Sequence, residues 1–357
     1  MRGVMAEPLG RIALLTGYYS SEQAGGVEVF NQQLGQVLGG LEIIADRVGP
    51  EEGPVPHLTR FGLEEPYRAI RVARSFTQAH RANPFRLVIT NGIYGWPLAI
   101  RRMNVPAIQV YHFTMAGLAR QALVTRGDRL ATGRVSAFFD RLAGRGKIVV
   151  AVSDSVRREA GRHYGLGARV IPNSVDTSLF RPLDRARARG ELGLPAEATI
   201  GLFVGRAEYA KGFDVFLEVA RQMPDILFVH VGSGEPREPN VRAVLRVPHT
   251  EMPRYYSAAD FLFLPSRYEG FNLSILEALA CGLPIVVSQA AYPFVEDPAS
   301  LGFVARTFAP RAFVEGIRSV LGARSTFAPR ESVVERYSME TFGNAWRGLA
   351  RALLEDA

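Results

Sequence analysis

The sequence predicts an α/β chain of two doubly wound parallel sheets, each a domain with its own core. Three observations carry this. Apolar runs of strand length recur along the chain, continuous rather than alternating, as in strands covered on both faces. Segments of helical period separate them, giving the strand–helix alternation of a parallel sheet. The series breaks once, at 170–182 (VIPNSVDTSLFRP), where Pro172, Asn173, Asp176 and Pro182 offer linker chemistry rather than the interior of an element. A chain of 357 residues with 47% hydrophobic and 10% aromatic composition is too long for one ordinary core and fills two.

In chain order, the first half gives strands at 12–16, 41–45, 87–90, 107–111 and 148–152, separated by helical segments such as 27–38, 66–81 and 115–142. Residue Val170 then ends a further strand. The second half gives strands at 200–204, 227–231, 261–264 and 285–287, with helices near 214–222, 252–258 and 272–280. The domains are placed at 1–174 and 175–338. The last pattern carries Phe342, Trp346, Leu349 and Leu353 at helical spacing. It predicts an amphipathic helix over 339–357 that packs against one or both domains, the N-terminal one above all. No internal repeat and no low-complexity tract occurs.

The net charge of +7 and a pI near 9.7 favour acidic partners such as phosphates, nucleic acid or an anionic lipid surface. No run approaches about 18 apolar residues, and Glu7, Pro8 and Arg11 interrupt the amino terminus. The expectation is a soluble, unexported, cytoplasmic protein. The single cysteine, Cys281, reads as a packed thiol. Only Lys147 and Lys211 are lysine among 42 basic residues. Lysine is a compact mobile charge where arginine is a flat fork, so a phosphate contact is one reason to keep it.

In open α/β sheets ligands bind at the carboxyl ends of strands, and each motif falls there. Gly25-Gly26-Val27-Glu28 leads into a helix; paired glycines permit close backbone approach and expose N–H groups suited to phosphate. A simple tight turn is the alternative, since the three-glycine dinucleotide spacing is missing. Arg206 and Lys211 flank a loop after 200–204 and could straddle a diphosphate. No Walker loop is present. His112 follows the strand 107–111 and should face the ligand, though a histidine at a strand end is as often structural. Ser153-Asp154 caps a helix.

The segment 266–285 (SRYEGFNLSILEALACGLPI) is the most informative. Glu269 and Glu277 flank a turn that opens into a helix capped by Asn272 or Ser274. Its first N–H groups face the loop holding Glu269, so a carboxylate sits beside an anion site, as a ligand with both phosphate and hydroxyls requires. The histidines form no metal-ligand spacing and no Asp-x-Asp occurs, so no catalytic metal and no cofactor is expected.

In order along the chain, Gly25-Gly26-Val27-Glu28, VSDSVRREA, VIPNSVDTSLFRP, VGRAEYAKGFD and EGFNLSILEALACGLPIVVS resemble the retaining glycosyltransferases of the GT-B fold, family 4. The resemblance spans nearly the whole chain. It implies two Rossmann-like domains facing a central cleft, a C-terminal helix returning toward the N-terminal domain, and a UDP- or GDP-linked hexose donor. Arg206 and Lys211 would neutralise the diphosphate, Glu277 would take the ribose hydroxyls and Glu269 the hydroxyls of the transferred sugar. Amides of Phe271, Asn272 and Leu273 would serve sugar and phosphate, and those of Gly25 and Gly26 the diphosphate. His112 matches the position whose ring contacts the sugar; Arg246 and Val247 match the loop beside the base. The chain departs at 289–296 (QAAYPFVE), where relatives carry a glycine pair and a glutamate, and at Asn173-Ser174, where Asn-Gly is commoner.

The implied acceptor is a hydroxyl on a sugar, a lipid-linked compound or a small molecule. Residues 120–147 carry six arginines and Lys147 against Asp128 and Asp140, with apolar residues between. This is either a solvated helix face or a peripheral contact with an anionic membrane. The rival readings are a sugar-nucleotide epimerase, a catalytically silent scaffold subunit and a nucleic-acid binder. The paired glutamates oppose the first and intact Arg206, Lys211, Glu269 and Glu277 the second. The third lacks a module of basic and stacking aromatic residues.

Overall fold

The computed structural model describes residues 9–17, 25–46, 62–101, 104–294, 297–323 and 326–355. The chain divides into two compact units. One comprises Met1–Arg120, Val124–Pro172 and Phe342–Ala357; the other comprises Gln121–Leu123 and Asn173–Thr341.

The first unit holds β1 (Ile12–Leu15), β2 (Leu41–Ile44), β3 (Leu87–Asn91), β4 (Ala107–Tyr111), β5 (Ile148–Ala151) and β6 (Arg169–Val170). They form one parallel sheet in the order β2-β1-β3-β4-β5-β6. Every residue of β1 and β3 is buried, which is why their sequences are continuously apolar up to the last position or two. The chain reverses its direction of sheet growth between β1 and β3, so a ligand crevice is expected outside their carboxyl ends. From the terminal helix Met339–Glu355, Phe342 and Trp346 pack edge-on against Phe30, with ring centroids 5.8 and 5.9 Å away. Arg347 donates to the carbonyl of Val37 at 3.0 Å.

The second unit holds β7 (Thr199–Val204), β8 (Ile226–Val231), β9 (Val241–Val244), β10 (Phe261–Leu264), β11 (Ile285–Ser288) and β12 (Gly302–Ala305). Its parallel order, β12-β11-β10-β7-β8-β9, is the Rossmann order, with the switch point between β7 and β10. Phe203, Phe216, Phe228, Phe261, Phe263 and Phe313 are fully buried in its core. Gly201 lies in the middle of β7 because a Cβ there would stand 2.7 Å from the Phe261 ring and 2.9 Å from that of Phe228. The aromatic core thus requires a residue without a side chain. Phe263 continues the stack to Phe313, at 5.4 Å between centroids.

Two strands that the apolar pattern does not mark, β9 and β12, lie at the two edges of the second sheet, and β6 lies at an edge of the first. An edge strand is covered incompletely and needs no unbroken apolar run. Both residues of β6 are exposed, as are the two middle residues of β9. The helical segment 115–142 is also divided. It consists of helices Met115–Gln121 and Arg126–Leu130, a π-helical turn Ala131–Ser136 and a helix Ala137–Ala143. Thr125 starts the second piece, its hydroxyl accepting from the Asp128 amide at 3.0 Å. Among the described residues no helix is long and apolar enough to cross a membrane.

Candidate active site

In the second unit the functional groups gather at the switch point. After β7 the loop closes through hydrogen bonds from Ala207 N to Ser233 O (2.9 Å) and from Lys211 N to Glu208 O (3.1 Å). Gly212 then takes the left-handed conformation, φ +70°, with its Cα against the end of β10. A Cβ there would lie 2.1 Å from the carbonyl oxygen of Pro265, so only glycine fits on both counts. This seats Lys211 beside the loop that follows β10. Its Nζ lies 2.7 Å from Glu269 Oε1, with the two side chains 24% and 11% exposed.

Asn272 joins the two functions of that loop. Its Oδ1 accepts from Ile275 N at 3.3 Å, capping the helix Leu273–Ala280, while its Nδ2 donates to Glu269 Oε1 at 3.0 Å. The lysine, the carboxylate and the positive end of a helix therefore share a small volume, a preorganised place for a diphosphate beside hydroxyls. Phe271 is buried behind the loop, against Phe294 (5.5 Å between centroids) and Tyr337 (5.7 Å), and its carbonyl faces Asn173 Nδ2 at 3.4 Å. Leu273, the first residue of the helix, is also buried. The 289–296 stretch thus contributes Phe294 as a prop for the loop; Val295 and Glu296 lie outside the described residues.

Glu277 sits one helical turn further on and is 6% exposed. Its Oε1 is 2.6 Å from His249 Nε2, and its Oε2 accepts from the Tyr256 hydroxyl at 2.7 Å. Burial works against protonation of His249, but the hydrogen bond and charge of Glu277 outweigh it and hold the imidazole above its ordinary pKa. Burial, with Glu277 beside it, likewise pushes the Tyr256 hydroxyl well up. The preceding Arg246–Val247 loop carries strain: Arg246 has φ +55°, the one non-glycine residue with positive φ among the described residues.

Arg206 stands apart from this cluster. It pairs with Glu208 at 2.8 Å, with 68% of its side chain exposed. The other lysine, Lys147, is structural: it donates to the carbonyls of Gly95 (3.0 Å) and Ala143 (2.5 Å), and burial pushes its pKa down to about 8. Cys281 is buried and its thiol pKa is raised by that burial, which suits packing and not nucleophilic attack.

The first unit offers a different kind of site. Gly25 is the extended residue before the helix Gly26–Leu38 and its carbonyl accepts from Val29 N at 3.0 Å. At the ends of β1, β3 and β4 a polar network forms. His112 Nε2 lies 3.1 Å from Asn91 Oδ1, and Asn91 Nδ2 donates to Asn31 Oδ1 at 2.8 Å. Thr16 Oγ1 lies 3.4 Å from Asn91 Nδ2. Because the Asn91 nitrogen is committed to Asn31, its oxygen faces the imidazole, so His112 Nε2 carries the proton and Nδ1 carries the lone pair. Burial pushes the ring down to about 4, and Phe30 meets it edge-on at 4.6 Å. At neutral pH His112 is an uncharged, oriented acceptor.

His249, Tyr256, Thr16, Asn31 and Asn91 are the participants that sequence reading missed. Thr16 and Asn91 had a usable signal, a polar residue at the carboxyl end of an apolar strand. The other three reach the site through tertiary packing, which spacing does not encode. Among the described residues no three His, Cys, Asp or Glu side chains are grouped to hold a metal.

Comparison with known proteins gives an independent view. Residues 24–179 match the model described as Glycosyltransferase Family 4, and residues 184–335 match that of Glycosyl transferases group 1. Among similar proteins are D-inositol 3-phosphate glycosyltransferases of Segniliparus rotundus and Geodermatophilus obscurus. The first is 32% identical over 65% of this chain and 57% of its own length; the second is 34% identical over 66% and 58%. The chain thus spans less than two thirds of the length of these relatives. Of solved structures, a sucrose-phosphate synthase of Thermosynechococcus elongatus superposes with a TM-score of 0.82 at 22% identity, covering 98% of this chain and 100% of its own. HepE of Anabaena, solved with UDP and glucose, superposes at 0.72 and 17% identity, covering 96% and 100%. These likenesses show the fold, two Rossmann-like units of the GT-B type, and with the two family matches they establish that the chain belongs to the family 4 glycosyltransferases.

Proposed function

We propose that the protein is a retaining glycosyltransferase that moves a hexose from a nucleotide-diphosphate sugar, UDP- or GDP-linked, to a hydroxyl acceptor. The observation that carries this is the Lys211–Glu269–Asn272 cluster at the start of the helix Leu273–Ala280. It combines positive charge for a diphosphate with a fixed carboxylate for sugar hydroxyls. Glu277, already aligned by His249 and Tyr256, takes the ribose hydroxyls. The backbone of the strained Arg246–Val247 loop borders the base, and the amides of Gly25 and Gly26 contact phosphate. His112 accepts a hydrogen bond from a sugar hydroxyl through Nδ1.

In the reaction the bond from the anomeric carbon to the diphosphate oxygen breaks, and a bond to the acceptor oxygen forms on the same face. The acceptor proton passes to the departing phosphate oxygen. Negative charge grows on the diphosphate as the bond lengthens, so Lys211, the helix amides and Arg206, once its exposed side chain turns to the ligand, stabilise the transition state more than the ground state. No metal is assigned a role, and turnover is expected to survive chelation by EDTA. The acceptor is a hydroxyl on a sugar, a lipid-linked compound or a small polyol; the similarity to inositol 3-phosphate glycosyltransferases makes inositol phosphates the first to try. The test is a screen of nucleotide sugars against such acceptors, read by mass. A product heavier by one hexosyl residue, with the anomeric configuration of the donor by NMR, is expected. Inversion would refute the retaining chemistry, and binding of nucleoside diphosphate without any transfer would favour the scaffold reading.

A further inference from the structure

The first unit carries a second concave surface that the proposed chemistry does not use. It is an open groove of about 720 Å³ beside the π-helical turn Ala131–Ser136. Arg120, Arg126, Arg134 and Arg141 line it, all exposed, and none has an ion pair among the described residues. No carboxylate is among its lining side chains. The two acids nearest in sequence are engaged elsewhere: Asp128 accepts from the Thr125 hydroxyl at 2.6 Å, and buried Asp140 accepts from the Tyr164 hydroxyl at 2.6 Å and from Met115 N at 3.1 Å. His163, also in the lining, is held below its ordinary pKa first by burial and then by the charge of Arg120, which reports the positive field of the groove.

Among these cations stand Leu130, 55% exposed, and Phe138, 61% exposed, both part of the same lining. A face that only meets water has no use for large apolar tips, and a buried core face has no use for unpaired guanidinium groups. Their combination on one surface matches an interface where phosphates overlie hydrocarbon. Arginine forks complement lipid phosphates, while Leu130 and Phe138 reach the acyl boundary. The net charge of +7 acts in the same direction. Nucleic acid fits less well, because the apolar members include an aliphatic tip and a single exposed ring, a poor platform for stacking bases.

We infer that this groove is a docking surface for an anionic lipid bilayer. The inference stands on the groove alone and does not rest on the proposed transfer reaction. The test is sedimentation of the full chain with vesicles of phosphatidylcholine, alone or with added phosphatidylglycerol, at moderate salt. Binding is expected only with the anionic lipid. The double variant Arg126→Gln/Arg134→Gln should bind about 25-fold more weakly, from roughly fivefold per basic residue at an anionic surface. Phe138→Ser should weaken binding by about tenfold while keeping the salt dependence. Both variants should keep the wild-type melting temperature and its rise with nucleoside diphosphate, so a failure of docking is separable from a failure of the donor site. Equal binding to neutral and anionic vesicles, wild-type binding by the double variant, or tighter retention on an oligonucleotide than on the anionic vesicles would each overturn the inference.

Discussion

The two units present their polar groups at equivalent places, the carboxyl ends of strands flanking a switch point, yet they use opposite electrostatics. The second unit works with charge: Lys211 faces Glu269, and Glu277 faces His249. The first works with neutral groups: His112, Asn91, Asn31 and Thr16 form a chain of hydrogen bonds in which the imidazole is uncharged. The difference teaches what each rim can do. Charge placed in advance serves a group whose own charge changes during reaction; a neutral network orients an uncharged sugar and leaves no counter-charge to compete with it.

The comparison breaks most visibly at Lys211. Lys211→Ala removes the positive member of the charged rim, and a drop of about 10²–10³ in transfer rate is expected, the usual weight of one preorganised group at a developing anion. Steady-state kinetics on the matched donor would show it, and a drop in kcat of less than about tenfold would mean the rim does not act on the leaving group. Glu277→Ala comes next. It removes the proposed ribose contact and leaves the buried Tyr256 hydroxyl and His249 without their acceptor. Calorimetry should give about 10- to 100-fold weaker nucleotide binding, together with a lower melting temperature. Tyr256→Phe should reproduce only a small part of that loss.

On the neutral rim the change is smaller. Asn91→Leu removes the acceptor that keeps the proton on His112 Nε2, and about a tenfold fall in kcat/KM is expected with nucleotide affinity unchanged. NMR of the ring should show the tautomer ratio moving toward Nδ1–H. An unmoved ratio would show that Asn91 does not set the tautomer.

The smallest effect is one of pH. Buried Asp140, which accepts from the Tyr164 hydroxyl at 2.6 Å and from Met115 N at 3.1 Å, is pushed up to about 7 by burial. Its folded pKa is raised above the unfolded 3.8, so its contribution is complete below pH 3.8 and is lost as pH rises through 7. His112 has the reverse sign: lowered to about 4 from 6.5, its contribution is complete above pH 6.5 and is lost as pH falls to 4. The two slopes oppose each other between pH 4 and 6.5. Asp140→Asn deletes one of them, so variant stability relative to wild type should climb with pH by about 1.4 kcal/mol per unit in that window. Parallel curves from denaturant titrations would remove Asp140 as the source.

The sequence carried the buried strands of both sheets because covering on two faces forces continuous apolar runs, as in 261–264 (FLFL). It did not carry β9 or β12, whose edge positions relax that demand. Within the site, Asn272 was readable as a cap because its partner Ile275 is local, and Glu269 and Lys211 were readable from their places on adjoining loops. The contact between those two joins positions 58 residues apart. His249 and Tyr256 were illegible because their reason for being there, two hydrogen bonds to Glu277, exists only after the helix Leu273–Ala280 has packed beside the helix Met252–Ala258. Arg206 shows the opposite limit. Its strand-end place is plain in the sequence, but its orientation toward Glu208 belongs to an exposed side chain that no pattern constrains.

The central claim is that the rim at β7 and β10 holds a nucleoside diphosphate through Lys211 and Glu277. Calorimetric titration of the full chain with UDP, GDP and ADP tests it most directly. One of the three should bind at a single site, and that binding should fall at least tenfold in both Lys211→Ala and Glu277→Ala. Binding of none of them, or equal affinity in wild type and both variants, would contradict the account.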